Sequence, residues 1–434
     1  MNRRQTEEPA RAKPAKPESS GHHFFRNLGP GLITGAADDD PSGISTYSTA
    51  GAAFGYGMLW TALFTLPLMT AVQLMCARIG LVSGRGLAAV LRRYYSRPVL
   101  WFACILLLTA NTINIAADLS GMAEAAELLT GWNSLWFTPL FTIAILALLI
   151  FASYRRIARV FKWLTLVLFA YVGAAFLAHP DWSEVARATI MPEFALDKER
   201  LMTFVAILGT TISPYLFFWQ AAQEVEEEKA EGRMTVGRRM GATPEELKDA
   251  RNDVATGMSF SVIVFYFIIL TTGATLHRSG HHDIQTAREA AEALRPLAGD
   301  LASLLFSVGL IGTGFLGVPV LAGSAAYAVA EGAAWRAGIN ERPRVARKFY
   351  GVVTIAMLAG MSFDYAGFNA IKLLFRAAVI NGLLAPPLIV IILFICNNPR
   401  VMGRHINGRW LNLLGIFAAA IMTLAAAATL FFWL

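Results

Sequence analysis

Charge is scarce in this 434-residue chain: 15% of its residues are Asp, Glu, Lys or Arg, against about 25% in soluble domains. A single soluble core stops growing well short of this length, so a hydrophobic content of 56% does not reflect one large core. Cysteine is scarcer still. Cys76, Cys104 and Cys396 lie in or beside different apolar runs, with neither a metal-ligand spacing nor a disulfide pattern. They read as small apolar filler. The first 21 residues are polar, basic and Pro-rich and lack an apolar stretch. That excludes a signal peptide and predicts a disordered cytoplasmic tail over 1–27.

What the chain does have is long uncharged runs. Leu59 to Ala77, Val99 to Ala117, Leu135 to Ala152, Val254 to Leu276 and Trp410 to Leu434 carry no charge. Each is near the ~20 residues that a helix needs to cross ~30 Å of hydrocarbon. The pattern predicts an all-α membrane protein of 11 segments, at 28–57, 59–77, 99–117, 135–152, 161–178, 201–222, 254–276, 301–330, 349–363, 366–396 and 410–434. With the N-terminus inside, 29 of the 37 Lys and Arg fall in the inside tail and loops, and 6 in outside loops. This is the positive-inside bias. The net charge of +7 is therefore orientation rather than a nucleic-acid footprint, and eleven crossings put Leu434 outside. The expectation is an integral protein of the plasma (bacterial inner) membrane, its partners the lipid bilayer and a transported substrate, with no obligate protein partner.

Two of these segments are interrupted. The first reads Gly35-Ala36-Ala37-Asp38-Asp39-Asp40-Pro41-Ser42-Gly43, and the sixth Gly209-Thr210-Thr211-Ile212-Ser213-Pro214-Tyr215. Proline removes a backbone donor and clashes with the preceding turn, and glycine loosens the same stretch. Carbonyls freed by such a break are tolerated in hydrocarbon only where they line a cavity. The breaks are five segments apart, an odd number, so the two helices enter from opposite sides. Two five-helix units of opposite orientation, 28–178 and 201–396, make an inverted repeat, with 410–434 as an extra helix of the single transmembrane domain 28–434. Matching breaks in such a repeat point to a midplane substrate site. A carboxylate deep in a membrane is functional by default. Carboxylates and carbonyls are hard oxygen ligands suited to Mg, Ca or Mn, whereas an anionic substrate is repelled here.

These residues resemble the NRAMP family of divalent-metal transporters. The likeness runs from about Gly29 to the tenth segment: Gly29-Pro30-Gly31 at the start of segment one, Asp40-Pro41-Ser42-Gly43 at its break, and the turn Gly55-Tyr56-Gly57-Met58-Leu59-Trp60. The second break and the stretch Ala325-Ala326-Tyr327-Ala328-Val329-Ala330-Glu331 are similar to the family as well. The resemblance implies the leucine-transporter-type fold with alternating access. It implies metal-site positions at Asp40, Gly43, Thr210 and Ser213, with Asp39 as a further carboxylate beside them. Gly43 stands where the family has a ligand Asn, and Ser213 where it has a ligand Met. Loss of the thioether favours a hard ion. Loss of two side chains implies a wider site, with room for a partly hydrated ion such as Mg²⁺. Some relatives that lack the Met are magnesium transporters. For coupling, the resemblance matches Asp118 to the family's helix-three Asp, places Gly121 where a Glu stands and Tyr215 where a His stands, and pairs Arg347 and Lys348 with two arginines. Transport is thus expected to be weakly proton-coupled or uncoupled.

Other polar residues carry alternatives. Asn111 and Asn114 either face the pathway or bond to neighbouring helices. His277, His281, His282 and Asp283 form either a metal-capture loop or a solvated one. Glu224, Glu226, Glu227 and Glu228 form a solvated helix end or an acidic vestibule. Lys372 and Arg376 either snorkel or lie over a cavity. Competing functions are an ordinary proton-coupled Mn²⁺/Fe²⁺ transporter, a carrier of small cationic organic solutes, and a membrane enzyme acting on Mg-diphosphate. The last needs a second Asp-rich motif, which the chain lacks. No enzyme activity and no cofactor are expected.

Overall fold

The computed structural model describes residues 29–151, 166–192, 197–365 and 368–433. The expected tail over 1–27, the basic loop from Arg155 to Lys162 and the start of the fifth segment lie outside the described residues. Among the described residues every regular element is helical. The helices that position the site are α1 (Pro30–Asp38), α2 (Pro41–Phe54), α3 (Trp60–Ser83), α4 (Leu87–Tyr94), α5 (Arg97–Thr130), α6 (Phe137–Phe151), α7 (Ala170–Leu177), α8 (Trp182–Ile190), α9 (Lys198–Thr211), α10 (Pro214–Ala230), α11 (Pro244–Thr272), α12 (Ala302–Gly332), α13 (Arg347–Asp364), α14 (Ala370–Cys396) and α15 (Arg409–Trp433).

Among the described residues, eight helices are long and apolar enough to cross a membrane: Trp60–Ser83, Arg97–Thr130, Ser134–Phe151, Lys198–Ala230, Pro244–His277, Arg295–Gly332, Ala370–Cys396 and Arg409–Phe431. Three of the eleven expected crossings are not among them, each for a physical reason. The first is split into α1 and α2, of 9 and 14 residues. The fifth lies partly outside the described residues. The ninth, α13, has 18 residues and spends three of them on Arg347, Lys348 and Asp364. Large apolar side chains such as Ile105, Ile143, Phe394 and Leu424 are exposed, as the lipid-facing side of such a bundle requires.

Helix boundaries follow local chemistry. The start of α11 is a capping box in which Thr243 and Glu246 satisfy each other's backbone amides, with Pro244 at the first helical position. At its far end α11 runs into a π turn at Gly273–His277. The end of α3 is Gly84 at φ +62°, a left-handed cap.

The broken helices sit at the centre. α1 lies along α11, α9 along α14, and α10 between α3 and α12, while α5 runs past α12, α13 and α14. Small residues set these approaches. A Cβ on Gly31 would stand 2.6 Å from the Val254 amide nitrogen, and one on Gly382 2.5 Å from the Val205 carbonyl. Backbones can come this close only where a side chain is missing, as at small-residue interfaces of membrane helices. Asp253 then fastens the start of α1: its carboxylate accepts from the Gly31 amide at 2.6 Å and the Leu32 amide at 3.3 Å.

Candidate functional site

At the first break the chain leaves helical geometry for two residues. Asp38 ends α1, Asp39 turns out at φ −85°, ψ 52°, and Asp40 is extended at φ −72°, ψ 173°. Pro41 opens α2, where its missing N–H is no loss. Asp40 caps that helix: its Oδ1 accepts from the Gly43 amide at 2.8 Å. The second break repeats the arrangement without charge. Ile212 leaves α9 at φ −119°, ψ 59°, Ser213 is extended, and Pro214 opens α10. The Ser213 hydroxyl turns back onto its own helix, 2.6 Å from the Gly209 carbonyl and 2.8 Å from the Thr210 carbonyl. Its proton is used there, so only its lone pairs remain for a ligand.

Tyr215 joins the two breaks. Its hydroxyl donates to the Ala37 carbonyl at 2.9 Å, one of the carbonyls that α1 leaves without a helical partner, and stands 3.3 Å from Asp40 Oδ2. Gly43 faces the other break. A Cβ there would lie 3.2 Å from Thr210 Oγ1, from the Asp38 carbonyl and from the Tyr47 ring. The room expected beside Gly43 is thus closed: Thr210 and Tyr47 occupy the volume that a longer side chain would fill.

Four carboxylates meet in this region with almost no access to solvent: Asp38, Asp39 and Asp118 are 0% exposed and Asp40 is 2% exposed. Asp118 Oδ1, on α5, accepts from the Ser42 amide at 3.2 Å. Among the described residues no ion pair involves any of the four. Asp38 Oδ1, Asp39 Oδ2 and Asp118 Oδ2 are buried without a hydrogen-bond partner. Buried carboxylates left this way are costly. Carboxylate oxygens are hard donors, of the kind that suits Mg, Ca or Mn. No three His, Cys, Asp or Glu side chains converge as a metal cluster among the described residues.

Some of the surroundings escaped the sequence. Ser261 of α11 places its hydroxyl 2.6 Å from Asp38 Oδ2 and 3.2 Å from Asp39 Oδ1. Gly317 of α12 lies against Asp40, where a Cβ would come within 2.9 Å of the Asp40 Cβ. Tyr47 is buried with its ring stacked on Phe265 at 4.8 Å. A single Ser or Gly inside an apolar helix carries no signal of its own; only the fold shows what it touches.

The remaining positions fall elsewhere. Asn114 donates to Asn381 Oδ1 at 2.8 Å and Asn111 to the Leu321 carbonyl and Ser324 Oγ, each at 2.7 Å, so both tie α5 to its neighbours. Arg347 is exposed at the start of α13, outside the buried cluster, and Lys348 rests on the Trp335 ring at 4.7 Å. Lys372 and Arg376 are not buried. Glu224, Glu226 and Glu228 are buried rather than solvated. Glu224 accepts from Gln220 at 2.8 Å, and Gln220 meets the Thr34 hydroxyl at 2.6 Å. This chain of polar groups runs from α1 along α10.

Comparison with known proteins places the arrangement. The Klebsiella pneumoniae protein called divalent metal cation transporter MntH is 25% identical over 401 residues, 91% of this chain and 91% of that protein. The crystal structure of the Eremococcus coleocola manganese transporter superposes with a TM-score of 0.73 at 21% identity, covering 94% of this chain and 87% of that one. Mhp1, a nucleobase-cation-symport-1 family transporter in a closed conformation, superposes at 0.54 with 14% identity, over 93% and 92% of the two chains. These likenesses show the leucine-transporter-type helical fold. The Nramp description, Natural resistance-associated macrophage protein-like, matches residues 31–432, and with so much of its length matched the chain belongs to the Nramp family.

Proposed function

We propose that this protein carries a hard divalent cation, Mg²⁺ or Mn²⁺, across the membrane by alternating access, through a midplane site between the two helix breaks. The observation that carries the reading is the set of four buried carboxylates that pair with no cationic side chain among the described residues, gathered where two helices are broken. Relatives described as divalent metal cation and manganese transporters support the substrate class. Asp40 is the principal ligand in this reading, joined by the Thr210 carbonyl, Ser213, the backbone at Gly43 and the adjacent Asp39. Ion entry displaces the Tyr215 hydroxyl from Asp40 Oδ2. Room for water around the ion requires α2 and α9 to separate at Gly43, since that contact is closed in this conformation.

The preference for a hard ion rests on Ser213, an oxygen where a thioether would favour softer metals. The same reading makes transport weakly proton-coupled or uncoupled, because Gly121 and Tyr215 supply no group that titrates near neutral pH. Membrane potential drives the ion inward, at ~2.3 kcal/mol per charge per 100 mV. It takes 28–434 as one transporter domain of two inverted units, 28–178 and 201–396, in the bacterial inner membrane, with the N-terminus inside and the C-terminus outside.

Asp118 Oδ2 is buried and unpartnered, which favours one competing reading, a carboxylate that carries a proton with the metal. Uptake into proteoliposomes loaded with a pH dye separates the two. Mg²⁺ or Mn²⁺ entry without acidification at clamped voltage is expected. Metal-dependent acidification would establish coupling, and Cd²⁺ outcompeting millimolar Mg²⁺ would overturn the hard-ion preference.

A further inference from the structure

A second set of donor atoms converges far from the aspartates, where the π turn at the end of α11 meets the last turns of α2. His277 Nδ1 lies 2.7 Å from the Ala52 carbonyl oxygen. His282 Nδ1 lies 3.1 Å from His277 Nδ1 and 3.4 Å from the same oxygen. The rings cross at 67° with centroids 4.5 Å apart. The opposite edge of His277 packs over Gly55, at φ +58°, where a Cβ would stand 3.0 Å from His277 Cδ2. Glycine is therefore required at this turn on two counts, its conformation and the imidazole above it.

Hydrogen bonding leaves this triangle half-made. A neutral imidazole nitrogen either donates or accepts. If His277 Nδ1 donates to Ala52, it has no lone pair to offer His282. His282 Nδ1 is then left with an N–H that is already engaged, or with the shared oxygen at 3.4 Å. A metal ion satisfies all three atoms at once. Imidazole nitrogens bind such ions at about 2.0–2.1 Å, and donors at that length stand about 2.9 Å apart at right angles and about 3.4 Å apart in a tetrahedron. The three edges of 2.7, 3.1 and 3.4 Å cover that range.

We infer that His277, His282 and the Ala52 carbonyl form a cation site separate from the transport site, taking a borderline first-row ion such as Zn²⁺, Co²⁺ or Ni²⁺. Imidazole donors suit these ions, whereas Mg²⁺ prefers oxygen. The three donors occupy one face of the ion and leave the rest to water. The site is reached from solvent at His282, which is exposed, and His277 borders a cavity of about 960 Å³ that also carries His179, Asp181 and Glu184. The Asp181 carboxyl is held below the usual carboxylate range by the Ser183 hydroxyl and by the Glu184 and Ser183 amides. Arg187 and Arg278 line the same cavity, so selectivity lies with the imidazoles rather than with the cavity's charge. An ion bound here staples the loop after α11 to α2, the helix that Asp40 caps, and so resists any movement of α2.

The test is Zn²⁺ calorimetry together with Co²⁺ electronic absorption on the purified full-length protein in detergent. One ion should bind through histidine, with the same affinity in Asp40→Ala and His281→Ala; the His281 ring bonds to Ser279 instead, at 3.1 Å. Binding should weaken at least tenfold in His282→Ala and His277→Gln. His282 is exposed, so its variant is expected to fold, and an unchanged gel-filtration profile confirms this. In uptake assays, Zn²⁺ should inhibit the parent at concentrations that leave His282→Ala unaffected. Zn²⁺ binding that survives in His282→Ala at full affinity, or that disappears in Asp40→Ala, overturns the site.

Discussion

Where the first break places Asp38, Asp39 and Asp40, the second places Thr211, Ile212 and Ser213. Both leave the helix for two residues and re-enter it at a proline. The second break closes on itself, because the Ser213 hydroxyl covers the Gly209 and Thr210 carbonyls. At the first, Asp40 caps α2 but Asp38 and Asp39 each keep an oxygen with no partner. At the second break the hydroxyl is satisfied by protein alone, whereas the first keeps buried carboxylate oxygens without a partner. Under the proposed function, α1 and α2 supply the charge that binds the cation, and α9 and α10 are the neutral half of the site. Tyr215 is the side chain that bonds to both the Ala37 carbonyl and Asp40 at the first break.

The comparison fails most visibly if the charged half is neutralised without effect. Asp40→Ala should abolish Mg²⁺ and Mn²⁺ uptake into proteoliposomes, a loss on the order of 100-fold or about 2.7 kcal/mol, while protein still accumulates in the membrane. Unchanged uptake would show that the acidic break binds nothing. A sharper test alters the neutral half. Ser213→Met removes the hydroxyl from two carbonyls and adds a soft sulfur, so competition between Cd²⁺ and Mg²⁺ should shift towards Cd²⁺ by about tenfold, ~1.4 kcal/mol; no shift would mean that Ser213 stands outside the ligand sphere. Tyr215→Phe cuts the link between the halves. A hydrogen bond of this kind is worth about 0.5–1.5 kcal/mol, so uptake should change by a few-fold through KM, and an altered proton flux would instead place Tyr215 in coupling. The smallest effect is expected from Ser261→Ala. It leaves Asp38 and Asp39 in place but removes their shared donor, so uptake should stay within about threefold of the parent while the apparent melting midpoint falls; Ser261→Thr should restore it.

The sequence made the architecture legible because hydrocarbon imposes long apolar runs and tolerates broken helices only around a cavity. Asp38 to Asp40 and the prolines at 41 and 214 stood out for that reason. Asp118 was singled out through the resemblance alone; its burial beside the first break comes from the fold. The volume at Gly43 did not, since a missing side chain signals space in a sequence, whereas neighbouring helices are free to fill it, as Thr210 and Tyr47 do. Ser261 and Gly317 were invisible because their meaning depends on register between helices far apart in the chain. Arg347, named only through its match to one of two family arginines, is exposed at the start of α13. The histidine loop was visible as a cluster, but the Ala52 carbonyl, a backbone atom more than two hundred residues earlier, was not.

Gly121 bears on how such a protein changes over evolutionary time. A Cβ there would meet the end of the flexible Leu374 side chain at 2.9 Å, a contact that a shift of that side chain relieves. Room for a larger residue at position 121 is therefore set by the rotamer of Leu374, and substitutions at the two positions should be non-additive.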